Sequence, residues 1–298
     1  QGPDAADWLQ GLLTQDVKAL ADGQGAYAAY LTPQGRMVAD LRVFRRTGME
    51  FLAETAAAAR SDLLSRLDQF IIMEDVTVSD VSSAIDTVTV VGPGAVAVVA
   101  AVTGLTAAAL EGLPEHAQLA AGVDGGFVAA SREFGESGFD LVAPVAHAAS
   151  WREALAARVP QAGDRLIETA RIEVGRPRFG VDMHEDTIPL EAGIESRAIN
   201  HDKGCYVGQE IVIRILHRGQ GRVARRLVWL ESATAGTDAW PAGTGVTLGE
   251  KAVGTVTSAC WSPARQRALA IAMLHRDATE PGTTVRVDTT DALVARLP

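Results

Sequence analysis

The chain has 298 residues, 47% of them hydrophobic, with a formal charge of −10 and a sequence pI near 5.1. Such a chain can bury a substantial core in two or three domains, and its acidic balance excludes indiscriminate binding of nucleic acid or an anionic membrane over the whole surface. Two cysteines, Cys205 and Cys260, are too few for the four thiolates of an iron–sulfur cluster or for a disulfide framework. There is no signal peptide and no uninterrupted apolar run of about 18 residues, so a soluble, cytoplasmic protein with no membrane partner is expected; the sequence begins at Gln1 rather than Met, which leaves a preceding segment open.

In chain order, Trp8, Leu9, Leu12, Leu13, Val17 and Leu20 recur at helical spacing and predict a helix over Asp4 to Leu20, broken near Thr14. Strands Ala26 to Thr32 and Met37 to Phe44 are joined by Thr32-Pro33-Gln34-Gly35, where a tight turn wants its Pro and Gly. An Ala-rich helix from about Ala56 to Phe70 follows, then strands at Val76 to Val78 and Val88 to Val91. Gly92-Pro93-Gly94-Ala95-Val96-Ala97 imitates a dinucleotide fingerprint, but Pro93 removes an N–H from the turn that should cradle a pyrophosphate. It is read as a plain turn. A second hairpin pairs Phe127 to Phe134 with Phe139 to Val142, and helices are expected over Val145 to Arg158 and Arg165 to Val174.

The next thirty residues read as a polar loop carrying His184, Glu185, Glu191, Glu195, Arg197 and His201. A long irregular connection of this kind is more often functional than accidental. Beyond Arg222 six short strands, Val223 to Leu230, Gly245 to Leu248, Ala252 to Ala259, Ala268 to Met273, Thr284 to Val287 and Leu293 to Leu297, are separated by Gly and Pro and predict a small β-barrel or sandwich. The domain boundary is placed between 222 and 223.

The loop leads into Lys203-Gly204-Cys205-Tyr206-Val207-Gly208-Gln209-Glu210, followed by an apolar run, Ile211 to Leu216. A thiol reacts as the thiolate, and a neighbouring ammonium or a helix N-terminus lowers its pKa from about 8.5. Lys203 is in place for the first and a helix opening near Gly208 for the second; the alternative is a small buried hydrophobe in a Gly-rich turn. Segment 203–226 holds Lys203, Arg214, Arg218, Arg222, Arg225 and Arg226 against Glu210 alone, a local charge of +5, suited to a carboxylate-rich ligand or partner or to RNA phosphates; the alternative is a helix end whose cations offset its own dipole. With no aromatics interleaved, direct nucleic-acid binding is not expected. No metal-ligating histidine pair and no nucleophile elbow is present.

The octapeptide resembles the K-G-C-Y-x-G-Q-E signature of the YgfZ family, folate-binding relatives of the glycine-cleavage T-protein (aminomethyltransferase) that support iron–sulfur enzymes. The resemblance continues in Trp8-Leu9-Gln10-Gly11 to Val17, Gly35-Arg36-Met37-Val38-Ala39-Asp40-Leu41, Gly135-Glu136-Ser137-Gly138, Arg171-Ile172-Glu173-Val174-Gly175 and Pro189-Leu190-Glu191-Ala192-Gly193. It implies an α+β, GcvT-like three-lobed folate-binding fold with a C-terminal β-barrel domain, with 1–222 as the folate-binding region and 223–298 as the barrel. It also implies tetrahydrofolate or a one-carbon derivative as cofactor, in a central pocket lined by Tyr27, Asp40 and Glu173. Asp40 would act at the folate's reactive nitrogens, and Glu173 would read the pterin edge, whose adjacent N–H donors a carboxylate accepts in pairs.

The expected role is that of a YgfZ-type factor assisting assembly or repair of iron–sulfur enzymes, those that thiomethylate tRNA among them. Its partners are then folate and iron–sulfur enzymes or assembly proteins. Cys205 is the working thiol, activated by Lys203, with Gly204, Tyr206, Gly208, Gln209 and Glu210 completing the motif. Two alternatives stand beside it: a folate-dependent aminomethyltransferase-like one-carbon transferase with Asp40 as acid/base group, and a non-catalytic adaptor using the 184–201 loop. T-proteins carry two acids before the Leu, whereas this chain has Ala39-Asp40.

Overall fold

The computed structural model describes residues 1–236 and 238–297. They form two units: Gln1–Ala28, Asp40–Ala162 and Asn200–Gly204 in the first, and Ala29–Ala39, Gly163–Ile199 and Cys205 onward in the second. Among the described residues no helix is long and apolar enough to cross a membrane.

Helix α1 (Ala5–Leu12) buries Trp8, Leu9 and Leu12 and stops at Leu13, which is extended. The helical spacing that runs on to Leu20 is therefore misleading, and Gln10 explains why. Its amide oxygen takes the N–H groups of Val17 and Lys18 and its NH₂ donates to Asp16, so a side chain supplies acceptors that a continuing helix would have drawn from its backbone. Strands β1 (Gly25–Leu31) and β2 (Met37–Thr47) form the expected hairpin, and β3 (Glu50–Thr55) adds a third strand in the order β1-β2-β3. Helix α2 (Arg60–Gln69) follows. Residues 76–78, expected as a strand, join no sheet.

A second antiparallel sheet has the order β4-β7-β6-β5, built from β4 (Ile85–Val91), β5 (Gln118–Ala120), β6 (Phe127–Ser131) and β7 (Gly138–Pro144). Helices α3 (Ala95–Thr103), α4 (Ala107–Glu111) and α5 (Val145–Ala156) complete the unit. Alternation along β6 divides its side chains between two cores. Val128 and Ala130 join Val99, Trp151 and Leu155 of the helices, whereas Phe127 and Ala129 join Phe44 of β2, with the two phenyl rings 5.5 Å apart. The glycine turn at 92–94 connects β4 to α3, but the next strand beside β4 is antiparallel β7, so no βαβ nucleotide unit exists there.

In the second unit, α6 (Asp164–Glu173), the single-turn helices α7 (Pro189–Ala192) and α8 (Glu195–Ala198), and α9 (Gln209–His217) precede the barrel. Six strands, β8 (Arg225–Ser232), β9 (Gly245–Leu248), β10 (Lys251–Ser262), β11 (Arg267–His275), β12 (Thr284–Val287) and β13 (Thr290–Ala295), close in the order β10-β11-β8-β13-β12-β9. These are the six expected strands, with ends moved by a few residues. Val228, Leu230, Val246, Val256, Ala270, Ala272, Val285 and Val294 fill the interior. Of the strand expected at 223–230, Val223 and Ala224 lie outside β8.

Strand β10 carries a β-bulge. Val256 pairs with Ala272 and Ser258 with Ile271, which leaves Thr257 as an extra residue. Successive strand side chains normally point to opposite faces, and a bulge breaks that rule locally. Here it delivers two adjacent hydroxyls, Thr257 Oγ1 and Ser258 Oγ, to the same carboxylate oxygen of Asp182, each at 2.6 Å. The other oxygen of Asp182 receives Arg171 Nη1 of α6 at 2.7 Å and the Arg178 N–H at 3.0 Å. Asp182 is 1% exposed and Arg171 5%. Glu168 adds a further ion pair to the Arg171 guanidinium, and these two carboxylates outweigh burial and raise its pKa.

Removing one partner of such a buried pair strands the other charge. Asp182→Ala is expected to cost about 3–5 kcal/mol of unfolding free energy in urea titrations; a loss below about 1 kcal/mol would show that solvent replaces the carboxylate.

Candidate functional site

In the first unit, Asp40 lies on β2 between buried Ala39 and Leu41 and is itself half-buried. Its Oδ2 accepts the hydroxyl hydrogen of Tyr27 on β1 at 2.8 Å, and its carbonyl accepts from Thr55 Oγ1 on β3 at 2.7 Å. All three strands of the sheet thus fix one acidic residue. The sequence paired Tyr27 with Asp40 only through a family resemblance; the hairpin register brings them into contact.

In the second unit, Glu173 is the last residue of α6, and Ser262 Oγ, at the end of β10, donates to its Oε1. Two residues back along β10, Cys260 faces α6 with its sulfur 4.0 Å from the Thr169 carbonyl. Burial, reinforced by Glu173 and Glu168, pushes the Cys260 thiol up to about 12. A cavity of about 380 Å³ adjoins this face, lined by Arg165, Glu168, Thr169, Asp238, Cys260 and Trp261 among others.

The octapeptide divides its labour. Lys203 was expected to activate the Cys205 thiol. Its ammonium instead donates to the carbonyls of Gln10 (2.7 Å), Leu13 (2.5 Å) and Gln15 (2.9 Å) at and beyond the end of α1. Carbonyls at a helix C-terminus lack intrahelical partners, and a cation is the natural group to satisfy them. Burial lowers the Lys203 pKa to about 8, while Asp16 pulls the other way. Cys205 is exposed and carries a free thiol, whereas Tyr206 beside it is buried. That burial pushes the Tyr206 phenol up to about 12.

Gly208 is the residue before α9 and has φ +83. A Cβ there would sit 2.5 Å from the Thr32 carbonyl oxygen and 3.2 Å from Gly35 Cα. The β1–β2 turn and the octapeptide therefore meet through two glycines, and neither tolerates a side chain. Gln209 and Glu210 open α9 as expected, Gln209 half-buried and Glu210 exposed.

The basic segment is smaller than its sequence suggests. Arg225 pairs with Asp186 and Glu191, and Arg226 with Glu195, while Lys203 is buried. Arg214, Arg218 and Arg222 remain exposed. The same pairs use up three acids of the polar 184–201 loop, which folds into α7 and α8 with Glu191 accepting from the Ile188 N–H. Ser262 and Asp182 were missed by sequence reasoning: each lies far along the chain from its partner, and neither stands in a motif. Among the described residues no group of three or more His, Cys, Asp or Glu is placed to hold a metal.

Two measurements test this site. Lys203→Met leaves three carbonyls without their donor and is expected to cost about 2–3 kcal/mol in urea unfolding; an unchanged midpoint would mean water serves them equally well. Iodoacetamide at pH 8 is expected to label Cys205 in the native chain and Cys260 only after unfolding, as a thiol near 12 holds only about 0.01% thiolate there. Native labelling of both at similar rates would contradict the burial of Cys260.

Residues 1–203 match the family model for the GCVT N-terminal domain, and residues 225–296 match that for the glycine cleavage T-protein C-terminal barrel domain. An aminomethyltransferase of Rubrobacter xylanophilus is 34% identical across 96% of this chain and 75% of its own length. One from Nostoc sp. is 30% identical across 97% and 77%. The crystal structure of glycine cleavage system aminomethyltransferase T from Bartonella henselae superposes with a TM-score of 0.88 at 24% identity, covering 99% of this chain and 81% of that one, and so shares its fold. The chain belongs to the glycine cleavage T-protein family.

Proposed function

We propose that the chain binds tetrahydrofolate or a one-carbon derivative and acts as a folate-dependent, aminomethyltransferase-like one-carbon transferase, with Asp40 as its acid/base group. The observation that carries this reading is the Asp40 carboxylate held by the Tyr27 hydroxyl at 2.8 Å, at the position where the family resemblance puts the acid that serves folate's nitrogens. A tetrahydrofolate supplies the two nitrogens, one in its reduced pterin ring and one on the side chain beside it, that accept the one-carbon unit. The residues fit such a ligand: Glu173 offers a carboxylate already oriented by Ser262, and the donors of a pterin edge match it in pairs. Asp40 would take the proton that a folate nitrogen releases as its new N–C bond forms and return it to the departing group. Tyr27 orients the carboxylate for that transfer.

A second reading rests on a different observation. Cys205 is an exposed thiol in a motif whose Lys203 and Gly208 are both committed to packing. No step of a one-carbon transfer by Asp40 requires it. It fits the YgfZ-type role, in which the folate-binding protein supports iron–sulfur enzymes, those that thiomethylate tRNA included, through this cysteine.

Tetrahydrofolate titration of the purified chain, followed by assay of ammonia and methylene-tetrahydrofolate formation from an aminomethyl donor, separates the two. Under the transferase reading Asp40→Asn lowers turnover by about 10²-fold or more while folate affinity stays within about threefold, and Cys205→Ala changes neither. Binding without turnover, together with loss of iron–sulfur enzyme activity in cells carrying Cys205→Ala, would replace it with the YgfZ role.

A further inference from the structure

We infer that Ser262 is a positioning residue for Glu173, fixing the plane of the carboxylate so that it accepts the paired donors of a pterin edge; this rests on the folate reading given above. Beyond the bulge, β10 turns alternate side chains toward α6, and Ser258, Cys260 and Ser262 form one row, all nearly or fully buried. Each meets a different group: Ser258 the Asp182 carboxylate, Cys260 the Thr169 carbonyl, Ser262 the Glu173 carboxylate. The last turn of α6 is held at three consecutive residues. Arg171 is held by Asp182, the Ile172 carbonyl by the Trp229 indole N–H at 3.0 Å, and Glu173 by Ser262. The backbone carrying Glu173 is thereby pinned, and only its side chain is left to be ordered.

Ser262 can order it because its own hydroxyl has a defined direction. A serine oxygen offers one hydrogen and two lone pairs. One lone pair of Ser262 Oγ accepts the Arg265 N–H at 3.1 Å, and its hydrogen is directed to Glu173 Oε1. An ionised carboxylate has about four lone-pair sites, so accepting one hydroxyl hydrogen leaves capacity for two ligand N–H groups in the same plane. A glutamate without this anchor samples several rotamers, and binding must then order it at a cost in affinity.

A competing explanation is that Ser262 serves only the β10–β11 turn, where its carbonyl accepts the Gln266 N–H at 2.8 Å and its hydroxyl the Arg265 N–H. A turn role alone would lower stability and leave ligand discrimination unchanged.

The test is calorimetric titration of the full chain with tetrahydrofolate and with its 2-desamino-2-methyl analogue, which lacks one of the two edge donors. Wild type, Ser262→Ala, Ser262→Thr, Glu173→Gln and the Ser262→Ala/Glu173→Gln double variant are compared. Ser262→Ala is expected to weaken tetrahydrofolate about tenfold, to weaken the analogue much less, and to add nothing in the Glu173→Gln background. Ser262→Thr, which keeps the hydroxyl, is expected to bind within about threefold of wild type. Wild-type affinity in Ser262→Ala while Glu173→Gln is weakened would overturn the inference, and so would an equal loss from Ser262→Ala in both Glu173 backgrounds. Unchanged binding by Glu173→Gln would instead overturn the folate reading of Glu173 and leave Ser262 nothing to position. Should Ser262→Ala fail to fold, Ser262→Cys, similar in size and a weaker donor, takes its place with the same expected outcomes.

Discussion

The carboxylate of Asp182 is the interaction on which the second unit depends. A charge that is 1% exposed must find full compensation, because burial without partners costs more than any single contact returns. Asp182 finds it in a guanidinium, a backbone N–H and two hydroxyls. The two hydroxyls come from neighbouring residues of one strand, which regular pleating would send to opposite faces. The bulge at Thr257 is therefore part of the site of this charge, and an irregularity in β10 and the ion pair of α6 are one feature seen from two elements.

It follows that the barrel does its structural work on its outside. Its core is filled mostly with Val, Leu and Ala, with Trp240 among them. The outward row of β10 meets α6 directly at Thr169 and Glu173 and through Asp182 at Arg171, so the orientation of the helix is set by directional bonds as well as by apolar contact. Apolar packing alone would permit small rotations of α6; the buried pair and the Trp229 bond to Ile172 do not. Glu173, at the end of that helix, inherits the rigidity.

Much of this was legible in the sequence, for reasons that can be named. The six barrel strands are bounded by Gly and Pro, and the hairpin turn at 32–35 has the residues its geometry needs. Three kinds of feature were not legible. Strand β3 (Glu50–Thr55) has no two-residue alternation to announce it, since both its faces are largely open, and Val76 and Val78 alternate like a strand but join no sheet, Thr77 between them exchanging backbone hydrogen bonds with Gln1. The helical spacing after Leu12 persists where the backbone has left the helix, because Gln10 substitutes for the missing bonds. Partners distant in the chain, Ser262 with Glu173 and Asp182 with Thr257, carry no local signal at all. The same holds for Lys203: two residues from a cysteine it looks like an activator, and the fold adds that its ammonium donates to the carbonyls around the end of α1.

The departure at Ala39-Asp40 has a physical basis as well. Ala39 is fully buried, while Asp40 on the alternate face is only partly so. A second carboxylate in place of Ala39 would enter a desolvated position, where it would either be protonated or demand a partner. In the transfer proposed above, the acid/base work would therefore fall to Asp40, which accepts the Tyr27 hydroxyl hydrogen. A single oriented carboxylate suffices to take a proton and return it, so the absence of a second acid does not count against transfer chemistry. The exposed thiol of Cys205 takes no part in the transfer proposed for Asp40 and is the group on which the second reading rests. What distinguishes the two readings within this family is thus the chemistry of one sulfur atom.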